Sequence, residues 1–145
     1  MTRAIAVLDT NVVLDLFYWH GTSSPGLLRL LDQIELVTDL RCLHELHTVL
    51  DRLCADPARV AAVLDDYRAH SRCVTAAPAG STLPRCKDHQ DQKFLELAAL
   101  AGARWLITRD KALLALRRRK TLPAGLAIAA PDQAAGAIAA ELALA

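Results

Sequence analysis

One stretch near the N-terminus constrains this chain more than any other: Ala6-Val7-Leu8-Asp9-Thr10-Asn11-Val12-Val13-Leu14-Asp15. The apolar run from Ile5 to Leu8 reads as a buried strand. It halts at an acid and two small polar residues before apolar residues resume. In an open α/β sheet, ligands bind just beyond the carboxyl ends of the strands, where Asp9 would stand.

The rest of the chain supplies strands and helices in alternation. Val12 to Trp19 continues apolar, and Gly21 to Pro25 breaks the pattern. Ser24 and Pro25 suit the cap and first position of a helix that buries Leu27, Leu28, Leu30 and Leu31 and ends near Gln33. Leu36-Val37-Thr38 reads as a short strand. Asp39 then opens a helix with Leu43, Leu46, Val49, Leu50 and Leu53 at helical spacing. Asp56-Pro57 starts another helix that runs to about His70, and Cys73-Val74-Thr75 reads as a strand.

Pro78, Gly80 and Pro84 mark a loop from Ala76 to Arg85, which leads to Asp88. A helix is expected from His89 to about Ala101, with Gly102 as its stop. Arg104 to Thr108 reads as a buried strand that ends in Arg109-Asp110. A short helix around Leu113 to Leu116, a strand at Leu126 to Ala130 and an Ala-rich helix after Pro131 complete the chain. This alternation predicts an α/β fold with a parallel sheet and helices on both faces.

At 145 residues the chain is expected to be one domain, 1–145, with no linker. Its 17 basic and 16 acidic side chains leave a net charge of +1, so any polyanion site must be local. Cys42, Cys54, Cys73 and Cys86 form no CxxC pair and suit reduced thiols. The N-terminal apolar segment is too short for a signal peptide and no apolar run reaches membrane-spanning length. The expectation is a soluble, cytoplasmic protein with no membrane partner.

Two strands deliver an acid in the same way, Val7-Leu8-Asp9 and Leu106-Ile107-Thr108-Arg109-Asp110, and in a parallel sheet both open on one rim. Glu45 and Asp91 lie on helices, and no Lys or Arg within these motifs is an obvious partner. Four converging carboxylates destabilise one another unless a cation joins them. Oxygen donors without Cys or His point to Mg²⁺ or Mn²⁺ rather than zinc.

Leu8-Asp9-Thr10-Asn11-Val12, Glu45-Leu46 followed by Val49-Leu50, the run Lys87 to Leu95, and Trp105 to Lys111 resemble a PIN-domain protein, in order from about residue 4 to about residue 131. Within that family the chain is most similar to the standalone bacterial toxin–antitoxin group of VapC-like ribonucleases. The resemblance implies a three-layer α/β/α fold with a mainly parallel sheet and a metal-dependent ribonuclease acting on RNA. Asp9, Glu45, Asp91 and Asp110 would be both the metal ligands and the catalytic acids for one or two Mg²⁺ or Mn²⁺ ions. Asn11 would orient Asp9 or a metal-bound water, and Thr108 would support Asp110. Arg109 and Lys111 are candidates for substrate phosphate, Arg109 alternatively for pairing with one of the acids. It also implies an antitoxin partner and pairing of the chain as a homodimer, for which the apolar side of the Pro25 to Leu31 helix or Trp19 offers a surface. Two positions depart from the family: Arg109 replaces a common Gly, and Gln92 stands where several members carry a further acid close after Asp91, which argues against a second tightly held metal.

Other readings compete residue by residue. Asp88 is a natural helix cap, and the functional reading is preferred for Asp91. His44, His47, His70 and His89 lack metal-ligand spacing, although His89 borders the proposed site. The run Arg117-Arg118-Arg119-Lys120 is either a solvated helix end or a local contact for an RNA backbone. Trp19 and Trp105 suit a core or an interface. At the level of function, an aspartyl-phosphate phosphohydrolase would also place Asp at a strand end, but it needs an acid two residues later, where this chain has Asn11. A PIN fold kept as a non-catalytic RNA- or partner-binding module is the remaining alternative.

Overall fold

A computed structural model describes residues 3–75 and 82–144. Strand β1 (Ala4–Leu8) is followed by helices α1 (Thr10–Phe17) and α2 (Pro25–Arg29), then by β2 (Ile34–Thr38), α3 (Leu40–Leu53), α4 (Pro57–Ala69) and β3 (Ser71–Cys73). The second half holds α5 (Gln92–Ala101), β4 (Trp105–Ile107), α6 (Lys111–Leu114), β5 (Ala127–Ala129) and α7 (Pro131–Ala143). The five strands form one sheet in the order β3-β2-β1-β4-β5, and every pairing is parallel.

Both faces of the sheet are buried, as a parallel sheet requires. Alternation along each strand divides the core in two. Ala6, Leu8, Leu36 and Ile107 face the cluster built with α1, α2, α3, α4 and α7, whereas Val7, Val37, Leu106 and Ile128 face Phe94, Leu95 and Leu97 of α5 and Leu113 of α6. The result is the expected three-layer α/β/α fold.

α1 lies within a stretch that carries no visible helical period in the sequence. Val12, Val13, Leu14, Asp15, Leu16 and Phe17 are all buried, so the helix has almost no polar face to mark its repeat. The helix expected from Ser24 to Gln33 is shorter: α2 ends at Arg29, and a single 3-10 turn at Leu31–Gln33 leads into β2. Ser24 precedes Pro25 as expected, yet its side chain makes no capping hydrogen bond. Leu27 of α2 is buried within the chain, and Trp19 is 52 % exposed.

The third strand is Ser71–Cys73 rather than Cys73–Thr75. Of the loop expected at 76–85, residues 76–81 lie outside the described residues. Gly102 ends α5 in the left-handed region at φ 63°, where a residue with a Cβ would cost about 1–2 kcal/mol. No helix among the described residues is long and apolar enough to cross a membrane.

The strand order decides where a site can form. The chain moves outward from β1 through β2 to β3, then returns to the other side of β1 for β4 and β5. Helices therefore leave β1 and β4 toward opposite faces, and a crevice opens between the carboxyl ends of these two strands. Asp9 and Asp110 follow those two ends.

Candidate functional site

Each strand-end acid also begins a helix. Asp9 caps α1, with its Oδ1 accepting from the backbone N–H of Val12 at 2.9 Å, and Asp110 caps α6, with its Oδ1 accepting from Ala112 N–H at 2.7 Å. Such caps contribute about 1 kcal/mol each and set the carboxylate in the positive end of the helix dipole. The ladder between β1 and β4 extends one step past the strands, with Asp9 N–H donating to Ile107 C=O at 3.2 Å. Thr108 then ties the two acids together. Its hydroxyl donates to the second carboxylate oxygen of Asp9 and accepts from the Asp110 backbone N–H at 2.9 Å. Thr108 thus supports Asp9 as well as Asp110.

All four acids singled out in the sequence line one pocket of about 220 Å³ with Asn11 at its exposed lip. Asp88 joins them. It caps the turn before α5 through Gln90 N–H at 3.0 Å, and carboxylate oxygens of Asp88, Asp91 and Asp110 lie within 4.8 Å of one another. Capping and membership of the cluster are compatible because a carboxylate has two oxygens, a point that treating the cap as an alternative to the site overlooks. No Lys, Arg, His or Cys among the described residues lines this pocket.

The crowding is visible in the proton affinities. Burial, then a hydrogen bond to and the charge of Asp110, then Asp88 and Asp9, push Asp91 from 3.8 up to about 7. Burial likewise raises Asp9, against the pull of its hydrogen bonds from Thr108 and Val12. A divalent cation would relieve both, since it substitutes for the proton and the missing counter-charge.

Glu45 departs from the expectation that the acids have no basic partner. Lys93 Nζ lies 3.0 Å from Glu45 Oε1, and the Thr10 hydroxyl donates to Oε2. Lys93 also donates to the Gln90 carbonyl. Lys93 and Glu45 are 48 positions apart, so no local spacing could announce the pair. Gln92 is buried and spans a different gap. Its side chain accepts from Cys86 N–H at 2.8 Å and donates to Pro84 C=O at 3.2 Å, which pins the approach to Asp88.

Arg109 turns away from the acidic pocket. It donates to Ser23 C=O at 3.1 Å and to the Ser24 hydroxyl, and sits 3.5 Å from the buried carboxylate of Asp15. Its nearest acid is therefore none of the four. Lys111 is exposed in the first turn of α6, and neither residue lines the pocket. His89 and His44 lie next door, in a larger groove that shares Glu45 with the pocket.

Residues 5–112 match the family described as PIN domain. The chain belongs to the PIN-domain family. Its sheet order and its acids at the carboxyl ends of β1 and β4 are this PIN domain's own expression of that fold. Among solved structures, a chain of VapBC2 from Rickettsia felis, crystallised bound to a DNA fragment from their promoter, aligns with a TM-score of 0.59 and 15 % identity, covering 86 % of this chain and 98 % of that one. At that identity the likeness concerns the fold alone. No curated protein matches the sequence.

Proposed function

We propose that this PIN domain is a metal-dependent endoribonuclease that hydrolyses RNA phosphodiester bonds. The observation that carries the reading is the pocket at the switch point, where Asp9, Glu45, Asp88, Asp91 and Asp110 meet with no cationic side chain in the lining. The donor set fits Mg²⁺ or Mn²⁺: every charged group is a hard oxygen, and neither Cys nor His is present to favour zinc. Asp88, Asp91 and Asp110, whose carboxylate oxygens lie within 4.8 Å of one another, are the residues that would hold the ion or ions, with Asp9 and Glu45 lining the same pocket. When bound, such an ion lowers the pKa of a water and neutralises charge on the phosphate and leaving oxygens.

The protein's own part is positional. Two hydrogen bonds fix both oxygens of Asp9, so that its carboxylate cannot swing toward a substrate. Thr108 locks the Asp9–Asp110 spacing, and Asn11 holds an amide at the lip where water and substrate enter. Lys93 holds Glu45 at the pocket edge through the side chain that an incoming cation would compete for. The resemblance to toxin–antitoxin proteins supports an antitoxin partner, which co-expression with the adjacent open reading frame would test.

The decisive assay incubates labelled single-stranded RNA with wild type and Asp9→Asn, with Mn²⁺ or with chelator. Cleavage that needs the metal and vanishes in Asp9→Asn is expected. Metal-independent cleavage that survives the substitution would refute the proposal, and absence of Mn²⁺ binding by calorimetry would favour a non-catalytic module.

A further inference from the structure

A larger concavity adjoins the acidic pocket. A groove of about 750 Å³ runs between α3 on one side and α5 with the approach from Arg85 to Gln90 on the other, and it shares Glu45, Val49 and Gln90 with the pocket. The two adjoin across these shared residues. On α3 the lining residues Arg41, Glu45, Thr48 and Arg52 recur at three- and four-residue spacing, which places them along one face.

Charge divides between the two halves. The groove lining holds Arg41, Arg52, Arg85 and Lys93 against only Glu45 and Glu96, whereas the pocket is acidic. Two ion pairs cross the groove, Arg41 to Glu96 at 2.7 Å and Lys93 to Glu45 at 3.0 Å, so both of its carboxylates are already matched. Arg52 and Arg85 have no ion pair among the described residues, and both are exposed, as are His44 and His89 beside them. In a chain of net charge +1 this surplus is a local arrangement.

An acidic pocket repels a phosphate backbone, so a substrate needs a second, attractive surface that leads into it. We infer that the groove between α3 and α5 holds a single RNA strand on one side of the scissile phosphate, with Arg52 and Arg85 on its phosphates. This assignment rests on the ribonuclease reading above. The volume falls in the range of sites that enclose small ligands, which suits a few nucleotides of one strand and not a duplex. No Trp, Tyr or Phe lines the groove, so bases gain no broad stacking platform and recognition is of backbone charge with little sequence preference. The run Arg117 to Lys120 lines neither concavity, although it is the densest basic stretch in the sequence.

The test measures fluorescence anisotropy of a labelled single-stranded RNA 12-mer in Ca²⁺, over a series of KCl concentrations. Wild type is compared with Arg52→Ala/Arg85→Ala and with Arg117→Ala/Arg118→Ala. The groove variant is expected to bind at least about tenfold more weakly at low salt, and the slope of log affinity against log salt should fall by about 1.4, the value for two lost phosphate contacts on a single strand. The Arg117→Ala/Arg118→Ala variant should bind as wild type does. Unchanged binding by the groove variant, a larger loss in the Arg117→Ala/Arg118→Ala variant, or equal preference for duplex RNA would overturn the inference. The two readings fail separately: binding through the groove without Mn²⁺-dependent cleavage removes the ribonuclease and keeps the groove, whereas cleavage with unchanged groove-variant binding removes only the groove. Circular dichroism melting of each variant confirms that it is folded.

Discussion

Replacing Asp91 by Asn should make the metal-free protein more stable, and increasingly so as the pH rises toward 8. Asp91 titrates near 7 in the fold against 3.8 when unconstrained, so the folded state holds its proton more tightly than the unfolded chain does. A raised carboxyl pKa contributes stability that is complete below the unfolded value and is lost as pH climbs through the folded one. At pH 8 the carboxylate is ionised among Asp110, Asp88 and Asp9, and folding carries the full penalty. Taken at face value the shift amounts to about 4 kcal/mol. For a half-buried group screened by solvent we take about 1–2 kcal/mol, which for a domain of this size corresponds to about 2–8 °C in melting temperature. Thermal denaturation of Asp91→Asn and wild type in chelator, at pH 8 and pH 5, measures it. The gain should be smaller at pH 5 than at pH 8, because at pH 5 the folded state keeps more of its proton. In Mn²⁺ at about 100 times its dissociation constant, wild type should regain about 2.7 kcal/mol that the variant lacks. A variant that melts lower at pH 8, or gains equally at both pH values, would refute the idea that like-charge crowding governs this pocket.

Other perturbations follow from the same contacts. Thr108→Val removes the hydroxyl from a buried oxygen of Asp9 and should cost about 1–3 kcal/mol in urea denaturation, together with weaker Mn²⁺ binding; unchanged stability would mean the contact is dispensable. Lys93→Met frees Glu45 of its counter-charge and should tighten Mn²⁺ binding severalfold by calorimetry, and an equal or weaker affinity would show that Lys93 does not compete with the ion. Gly102→Ala should lower stability by about 1–2 kcal/mol, since a Cβ meets no atom within 4 Å there and only the backbone conformation is at issue; a neutral result would remove that reasoning.

The acids at the strand ends were readable because the sequence marks them twice, by the end of an apolar run and by the polar residues that follow. Asp39, Asp56 and Gly102 were legible for a similar reason, as caps whose chemistry is local. What escaped was either uniform or distant. α1 shows no period because nearly every side chain in it is buried, so its helical nature depends on the layers above and below. Lys93 meets Glu45, and Arg109 meets Ser23 and Ser24, across 48 and about 85 positions, through helices whose relative placement only the assembled sheet decides. Gln92 looked like a lost acid. Its side chain instead closes a backbone clamp that no residue-type pattern encodes.

The hydrogen bond from Thr108 to Asp9 joins residues 99 positions apart, between neighbouring strands at the centre of the sheet. A chain emerging from the ribosome can pair β1 with β2, and β2 with β3, early, since all three strands end by Cys73. At that stage Asp9 has no strand on its other side, and Asp88, Asp91 and Asp110 have yet to be made. The wound order of the sheet therefore acts as a timer: on the proposed function, a nascent molecule is incapable of cutting the messenger that encodes it until most of its own synthesis is complete.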